Sequence, residues 1–595
     1  MKRIIKKTAC ILLAGIMASC SDDFLGIKPL SIYTPESIYI NAKGFEGVMV
    51  TLRKNLRVDF YGNVGGIGCE LIASDMAVGA NKEQNAIHNF DTQVLTTGTG
   101  SNYDFHEIWG RAYNQVRNAN VALSRIDQGE FNSDEEKNAI IAEAYFHRAY
   151  WYYRLVHLFG DVPFLNKEHT APKIDFYTHS RQTILDKIAQ DMEFAVEWLP
   201  EDVVPGAIPQ GAGYHLLAKI YLASGRFSDA AKAASDVIGS GKYELMKSRF
   251  GKYKSDSKYN VIWDLHQKEN KSLDDNREAL IVVQDRYGFP SESAEVGGGT
   301  SAMRKYVPSW WQNYILDPDK KRGMIDTQGN PLIIQLGRGV GYVRATYYHN
   351  YIIWTDGTDL RHDSQVNWWP VEKFYYNNPT SSYYGQPVTT LQTSTPVDTI
   401  HCWYPFPYYK VYVEDEERPE QPYGGHSDWY LYRLAETYLL RVEAYFWQGD
   451  LDKAMADLNE VRGRANAELL TDPSDVTIEY ILDERARELF AEEFRKSELT
   501  RIAYIMAEKG LNGYSLSNFS TKNYWYDRVM AKNEFYRAGN ILWGPNIFKV
   551  SPFHILWPIP SSAISTNVGG VINQNEGYVG TDKNQPPLTV IDDSQ

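Results

Sequence analysis

Two ten-residue stretches, 224 positions apart, carry the same punctuation. Tyr221-Leu-Ala-Ser-Gly225-Arg-Phe-Ser-Asp-Ala230 and Tyr445-Phe-Trp-Gln-Gly449-Asp-Leu-Asp-Lys-Ala454 each place a glycine four residues after an aromatic and an alanine five residues after the glycine. Glycine tolerates the positive φ that closes a helix, and a small alanine lets a second helix pack closely on the first. Each stretch therefore reads as a helix, a tight turn and a second helix. A third partial unit, AEAYFHRAYWYYRLVHLFGD at 142–161, has the same mixture of small and aromatic residues and ends towards Gly160. Such hairpins bury their apolar faces only by stacking on neighbours. The chain is thus constrained to a mostly α array, and whatever separates the two copies must be inserted into it.

Apolar residues recur at three- and four-residue spacing over 41–57, 103–127, 134–158, 180–199, 211–224 and 227–238, and again over 427–446, 451–464 and 476–506. Between them, residues 240–426 are rich in Gly, Pro, Tyr and Trp and have few helical patterns. The helical unit resembles the hairpin of tetratricopeptide repeats. The expected fold is mostly α, a tetratricopeptide-like scaffold with a large irregular insertion on one face, where repeat proteins commonly bind. The expected organisation is a signal peptide at 1–19, an extended leader at 20–40, a first helical part at 41–239, an aromatic-rich inserted ligand-binding region at 240–426, a second helical part at 427–509 and an irregular, aromatic C-terminal region at 510–595 packed on the body.

The first residues address export. Lys2, Arg3, Lys6 and Lys7 precede an apolar run from Thr8 to Ala18, with no acid before Asp22. This is the chemistry of a secretory signal, and the run falls short of the roughly 20 apolar residues that span a bilayer. Ala18-Ser19-Cys20 resembles a bacterial lipobox, with Ile16 and Met17 in place of the usual leucine. Cleavage before Cys20 and acylation of its sulfur would tether the chain, since two or three acyl chains anchor stably where one does not. Loss of the four basic residues would move the formal net charge from −14 to −18. An acidic chain is poorly suited to nucleic acid, which is held by neutralising phosphates. Ser21-Asp22-Asp23 resembles the acidic surface-export signal that follows such a cysteine.

Cys69 and Cys402, the remaining cysteines of the mature chain, would form one bridge or stay as two buried thiols. No H-E-x-x-H, G-x-S-x-G or phosphate loop occurs. Asp356, Asp359 and Asp363 supply oxygen ligands at loop spacing for calcium, without the spacing or terminal Glu of an EF-hand. They read first as a solvated or salt-bridged loop. Glu484, Arg487, Glu488, Glu492 and Arg495 follow three- and four-residue spacings and read as ion pairs on one helical face; the alternative is the carboxylate pair of a glycosidase. The larger surplus is aromatic, with 42 Tyr, 23 Phe and 15 Trp. A sugar ring has an apolar face and a hydroxyl rim, so a binder needs a flat ring surrounded by polar side chains. Trp310, Trp311, Trp354, Trp368, Trp369 and Tyr375, interleaved with Asn, Gln, Asp and Arg, are the platform candidates. In an extended strand one member of each aromatic doublet would face the core.

Six blocks in order carry a wider resemblance: CSDDFLGIKP (20–29), IWGRAYNQVRNAN (108–120), AEAYFHRAYWYYRLVHLFGDVPFL (142–165), WYLYRLAETYLLRVEAYFWQGDLDKAMADLNEVRGRA (429–465), ILDERARELFAEEFRKSELTRI (481–502), and WPIPSSAISTN with NQNEGY (557–567, 573–578). Over nearly the whole mature length the chain resembles the SusD/RagB-like family of nutrient-binding outer-membrane lipoproteins. Glu493, Glu498 and Glu576 stand where that pattern usually has Gly, Asp and Pro. The resemblance implies a non-catalytic, lipid-anchored, cell-surface protein that captures oligosaccharide or polysaccharide and delivers it to a SusC-like TonB-dependent outer-membrane transporter. Peptide or glycopeptide capture by the same architecture, and glycoside hydrolysis, are the alternatives. It also implies a ligand surface in the loop GTGSNYDF (98–105), with Asn102, Tyr103 and Asp104 as candidates, and a structural role for Trp109.

Overall fold

A computed structural model describes residues 38–62, 64–81, 87–98, 105–288, 299–312, 314–539, 542–543 and 546–592. Cys20, Ser21, Asp22, Asp23, Asn102, Tyr103 and Asp104 lie outside the described residues.

Ten helices carry the architecture. They are α1 (Ala42–Asn55), α2 (Phe105–Arg125), α3 (Asp134–Phe159), α4 (Arg181–Trp198), α5 (Gln210–Ala223), α6 (Phe227–Ile238), α7 (Leu434–Gln448), α8 (Leu451–Arg464), α9 (Ile478–Leu489) and α10 (Arg495–Glu508). From α2 to α8 each helix packs on the next. The decisive contact is α6 on α7, because it joins the two hairpins across the long intervening sequence. Phe227 stacks on Trp447 at 5.9 Å, and the Arg441 guanidinium donates to Ser235 Oγ at 3.0 Å. The array interrupted in sequence is continuous in space.

The glycine turns close as their spacing predicts. Gly225 and Gly449 have φ of 73° and 81°. The residue after each donates its N–H to the tyrosine carbonyl five positions back, Arg226 to Tyr221 at 2.8 Å and Asp450 to Tyr445 at 3.0 Å. This bond satisfies a carbonyl that a helix end would otherwise leave bare. Ala230 and Ala454 are buried where α6 and α8 approach their partners. At the other end of α3, the Ser133 side chain accepts from Glu136 N, and Asp134, Glu135 and Glu136 complement the helix dipole.

Two periodic readings are corrected. Residues 429–433 are not the start of a helix but strand β2 (Trp429–Arg433), antiparallel to β1 (Ala279–Val283). All five β2 side chains are buried, so the bulky run WYLYR packs on both faces of a strand. The β1–β2 pair brings together the start and the end of the long central section. The helical run over 476–506 breaks into α9 and α10, with Ala491 at φ 62°. The α9 end is held by buried donors: Lys410 Nζ reaches Glu488 O at 2.6 Å and Phe490 O at 3.1 Å, and Arg433 reaches Glu488 O at 2.7 Å. Because of the break, Glu492 pairs with Arg433 and Lys410, while Arg495 pairs with Asp75 and Glu493. The Glu492–Arg495 pair read from their spacing is not made.

The central section clamps onto α9 through charge. Arg361 donates to Asp359, Glu484 and Glu488; Arg433 and Arg464 each reach both Glu278 and Glu488; Arg462 and Arg487 reach Glu484. Burial opposes the charge on Glu484 and Glu488, and the surrounding guanidiniums overcome that and hold both well below the usual carboxylate range. The bridge considered for Cys69 and Cys402 is absent: both are separately buried free thiols. Among the described residues no helix is long and apolar enough to cross a membrane.

Candidate functional site

The central section presents one anchored aromatic turn to solvent. Residues 348–352 form a five-residue π-helical turn, so Tyr347 and Tyr351, four positions apart, project together. Their ring centroids lie 4.8 Å apart with planes 37° from parallel. Tyr347 is 57% and Tyr351 42% exposed, and Ile352 beside them is also exposed. Two tilted rings make a shallow apolar cradle.

Everything beneath the turn is fastened. The strand pair Ala77–Val78 with Arg344–Ala345 leads into it, and Thr346 N donates to Met76 O at 2.8 Å. Tyr348, facing inward, donates its hydroxyl to Asp483 at 2.6 Å, and Glu534 accepts from Tyr347 N at 2.8 Å. Trp354 Nε1 donates to His349 O at 2.7 Å, and His349 packs on Phe490 at 4.4 Å, just beyond the end of α9. The ion-pair clamp on α9 thus also backs the turn. Arg344 lies 5.1 Å from the Tyr404 ring and 5.0 Å from that of Phe535. Burial raises the Tyr351 hydroxyl pKa; the charge of Glu372 adds to that and Arg344 opposes it. Exposed tyrosine rings with their hydroxyls suit a ligand that stacks and hydrogen-bonds.

The candidates read from the sequence separate into different roles. Trp310, Trp368 and Trp369 are 0%, 3% and 4% exposed, so their assignment as platforms is corrected to core. Trp368 packs on Trp354 at 5.5 Å and on His362 at 4.5 Å, and Trp369 lies against Tyr408 at 5.5 Å. Trp354 is half-buried, stacks on His362 at 4.7 Å and supports the tyrosine turn from below. Trp311 is half-buried under the Arg338 guanidinium, 3.9 Å from its ring, and donates Nε1–H to Gly339 O at 2.6 Å. Tyr375 is half-buried where residues 374–388 fold back, bridged to Pro387. Trp109 is buried against Phe159, 5.1 Å away.

Strand alternation, the expectation for this section, does not bring Tyr347 against Tyr351. The Tyr347-Tyr348 doublet was visible, but its segment is helical, and the partner of Tyr347 lies at four residues rather than two. Phe105, the first residue of α2, contacts Phe90 at 6.2 Å, and Phe90 contacts Tyr536 at 5.9 Å, on the short helix that begins at Glu534.

The carboxylates of Asp356, Asp359 and Asp363, the calcium candidates, are occupied by protein donors, in keeping with the salt-bridged-loop reading. Asp356 Oδ1 accepts from Thr358 N, Thr358 Oγ1 and Asp359 N, and Oδ2 accepts from Glu468 N. Asp359 is bonded twice to Arg361, and Asp363 caps Gln365 N. Among the described residues no group of three His, Cys, Asp or Glu is arranged to hold a metal.

The chain is similar to known proteins. The SusD family model matches residues 289–578, and a second model, described as starch-binding associating with outer membrane, matches residues 66–222. The chain is 31% identical over 252 residues to SusD-like protein P2 of Formosa agariphila, covering 39% of this chain and 46% of that one. It is 27% identical over 496 residues to the starch-binding protein SusD of Bacteroides thetaiotaomicron, covering 76% and 75% respectively. The chain therefore spans just under half of the first relative and three quarters of the second. A solved laminarin binding SusD-like protein superposes with a TM-score of 0.63 at 19% identity, covering 91% of this chain and all of that one.

Proposed function

We propose, from the premise that this chain belongs to the SusD family, that it is a cell-surface glycan-binding lipoprotein that captures an oligosaccharide and delivers it to a SusC-like TonB-dependent outer-membrane transporter. The observation that carries the reading is the exposed Tyr347–Tyr351 pair on a turn fastened from below. Two relatives named for starch and laminarin binding support a carbohydrate ligand. One sugar ring would lay its apolar face on the tyrosines, whose hydroxyls would meet its polar rim. Because the turn is already locked, little ordering entropy opposes binding.

The reading is capture without bond cleavage. Glu484 and Glu488, acids of the segment that offered a glycosidase pair, are both bonded to Arg361 in the interior. Acylated Cys20 would hold the body at the outer membrane, the 20–40 leader would give it slack, and the helical array would face the transporter. Affinity electrophoresis of the unlipidated protein against starch, laminarin and a wider polysaccharide panel tests the ligand. Covering about 50 Å² of apolar ring surface contributes about 1.2 kcal/mol, so Tyr347→Ala and Tyr351→Ala should each weaken retention several-fold. Unchanged retention in the double variant would sink the platform, and binding of peptides without any polysaccharide would replace the ligand class.

A further inference from the structure

A second cleft, of about 460 Å³, opens at the other end of the short helix Tyr524–Lys532 from the tyrosine turn. That helix is about 13 Å long, so the two sites are separate. The cleft volume falls within the range of about 300–1,000 Å³ usual for small-ligand sites.

Its wall combines rings with acids that lack full compensation. Tyr504 stacks on Phe519 at 4.3 Å, and Arg181 covers Tyr504 at 4.0 Å. Arg181 is 4% exposed; its terminal nitrogens donate to Glu508 at 3.2 Å and Ala223 O at 2.9 Å, and its Nε–H has no partner. Among the described residues Asp161 accepts the Arg181 backbone N–H, at 2.7 Å, and no other side-chain or backbone donor. Glu576 also lines the space, leaving three acids to one base. Burial raises the pKa of both Asp161 and Glu508 despite Arg181, so each carboxylate would gain from a further donor. The carboxamides behind them are rigid: Gln574 is bonded to both polar groups of Ile559, and Asn584 to both of Gln574. Such a cleft accepts hydrogen bonds and positive charge, over an apolar floor.

We propose that this cleft is a second saccharide site that takes a sugar ring bearing a protonated amine. The ammonium would sit against Asp161 and Glu508, and the ring against Phe519 and Phe553. That the amine is carried on a sugar rests on the glycan reading above; that the cleft prefers a cation rests on its own side chains.

Isothermal titration of the full chain with D-glucosamine, N-acetyl-D-glucosamine and D-glucose at pH 7 tests it. Glucosamine should bind at least tenfold tighter than either neutral sugar. Asp161→Asn with Glu508→Gln should remove most of that preference, and Leu516→Trp, which fills the cleft from an exposed position, should abolish the preference without disturbing the core. Tyr347→Ala with Tyr351→Ala should leave the tenfold preference for glucosamine over glucose intact, which separates this site from the platform. Equal affinities for the three sugars, or glucosamine binding unaffected by Leu516→Trp, would overturn the proposal. Nα-acetyl-lysine methylamide binding as tightly as glucosamine would overturn the sugar assignment.

Discussion

Glu488 is the acid on which the helical array and the inserted section converge, which makes Glu488→Gln the sharpest test of how the site is held. Its carboxylate is 3% exposed and bonded to Arg361 from the central section at 2.8 Å, to Arg433 on β2 at 2.5 Å and to Arg464 at the end of α8. Glutamine keeps the shape and one acceptor oxygen but removes the charge that three buried guanidiniums share. Removing one partner of a buried ion pair costs about 3–5 kcal/mol, and the surviving amide oxygen places the expected loss near the lower bound. Against a domain stability of about 5–15 kcal/mol this is a large fraction. Glu460→Gln is the matched control, because Glu460 pairs with Lys247 in solvent at 2.9 Å, and an exposed pair contributes about 0–1 kcal/mol. Urea unfolding monitored by tryptophan fluorescence measures both variants. The pH dependence adds a second check. The folded Glu488 pKa lies well below its ordinary 4.5, so its contribution is complete above 4.5 and is lost as pH falls towards the folded value. The gap between wild type and Glu488→Gln should therefore narrow below that pH. An E488Q variant within 1 kcal/mol of E460Q at pH 7, or a gap that widens on acidification, would refute the clamp.

Two further outcomes follow from separate features. Gly449→Ala should destabilise by about 1 kcal/mol, from strain at φ 81° alone, since an added Cβ meets nothing within 4 Å; Gly110→Ala, also meeting nothing but inside α2, should instead stabilise by a similar amount. Thermal unfolding of the two variants reads the opposite signs. Cys20→Ser should release the protein from the outer-membrane fraction or leave an uncleaved precursor, whereas neutralising Asp22 and Asp23 should leave it lipidated but closed to protease on intact cells. Membrane retention of the Cys20→Ser protein would remove the lipid anchor, and undiminished surface exposure of the Asp variant would remove the export address.

What could be read in advance follows how local each signal is. Gly225 and Gly449 act on their own turns, so their spacing revealed the hairpins. The helical pattern failed where a distant partner decided the outcome. Trp429–Arg433 becomes a strand because Ala279–Val283 lies alongside it, and the long helix over 476–506 stops at Leu489 because Lys410 and Arg433 take its last carbonyls. The same division runs through the site. Tryptophan content marked the central section, but the value of each ring depends on what the fold lays over it. Trp310 is enclosed, Trp311 is covered by Arg338 and Trp354 is stacked on His362, so the largest rings build the support. The exposed surface falls to tyrosine, whose hydroxyl tolerates water while its ring stays apolar. A chain with many tryptophans in an irregular section is thus using them where no helix or sheet supplies regular packing. Search for a ligand platform in such a section should begin with pairs of tyrosines at helical spacing whose neighbours are bonded to the body.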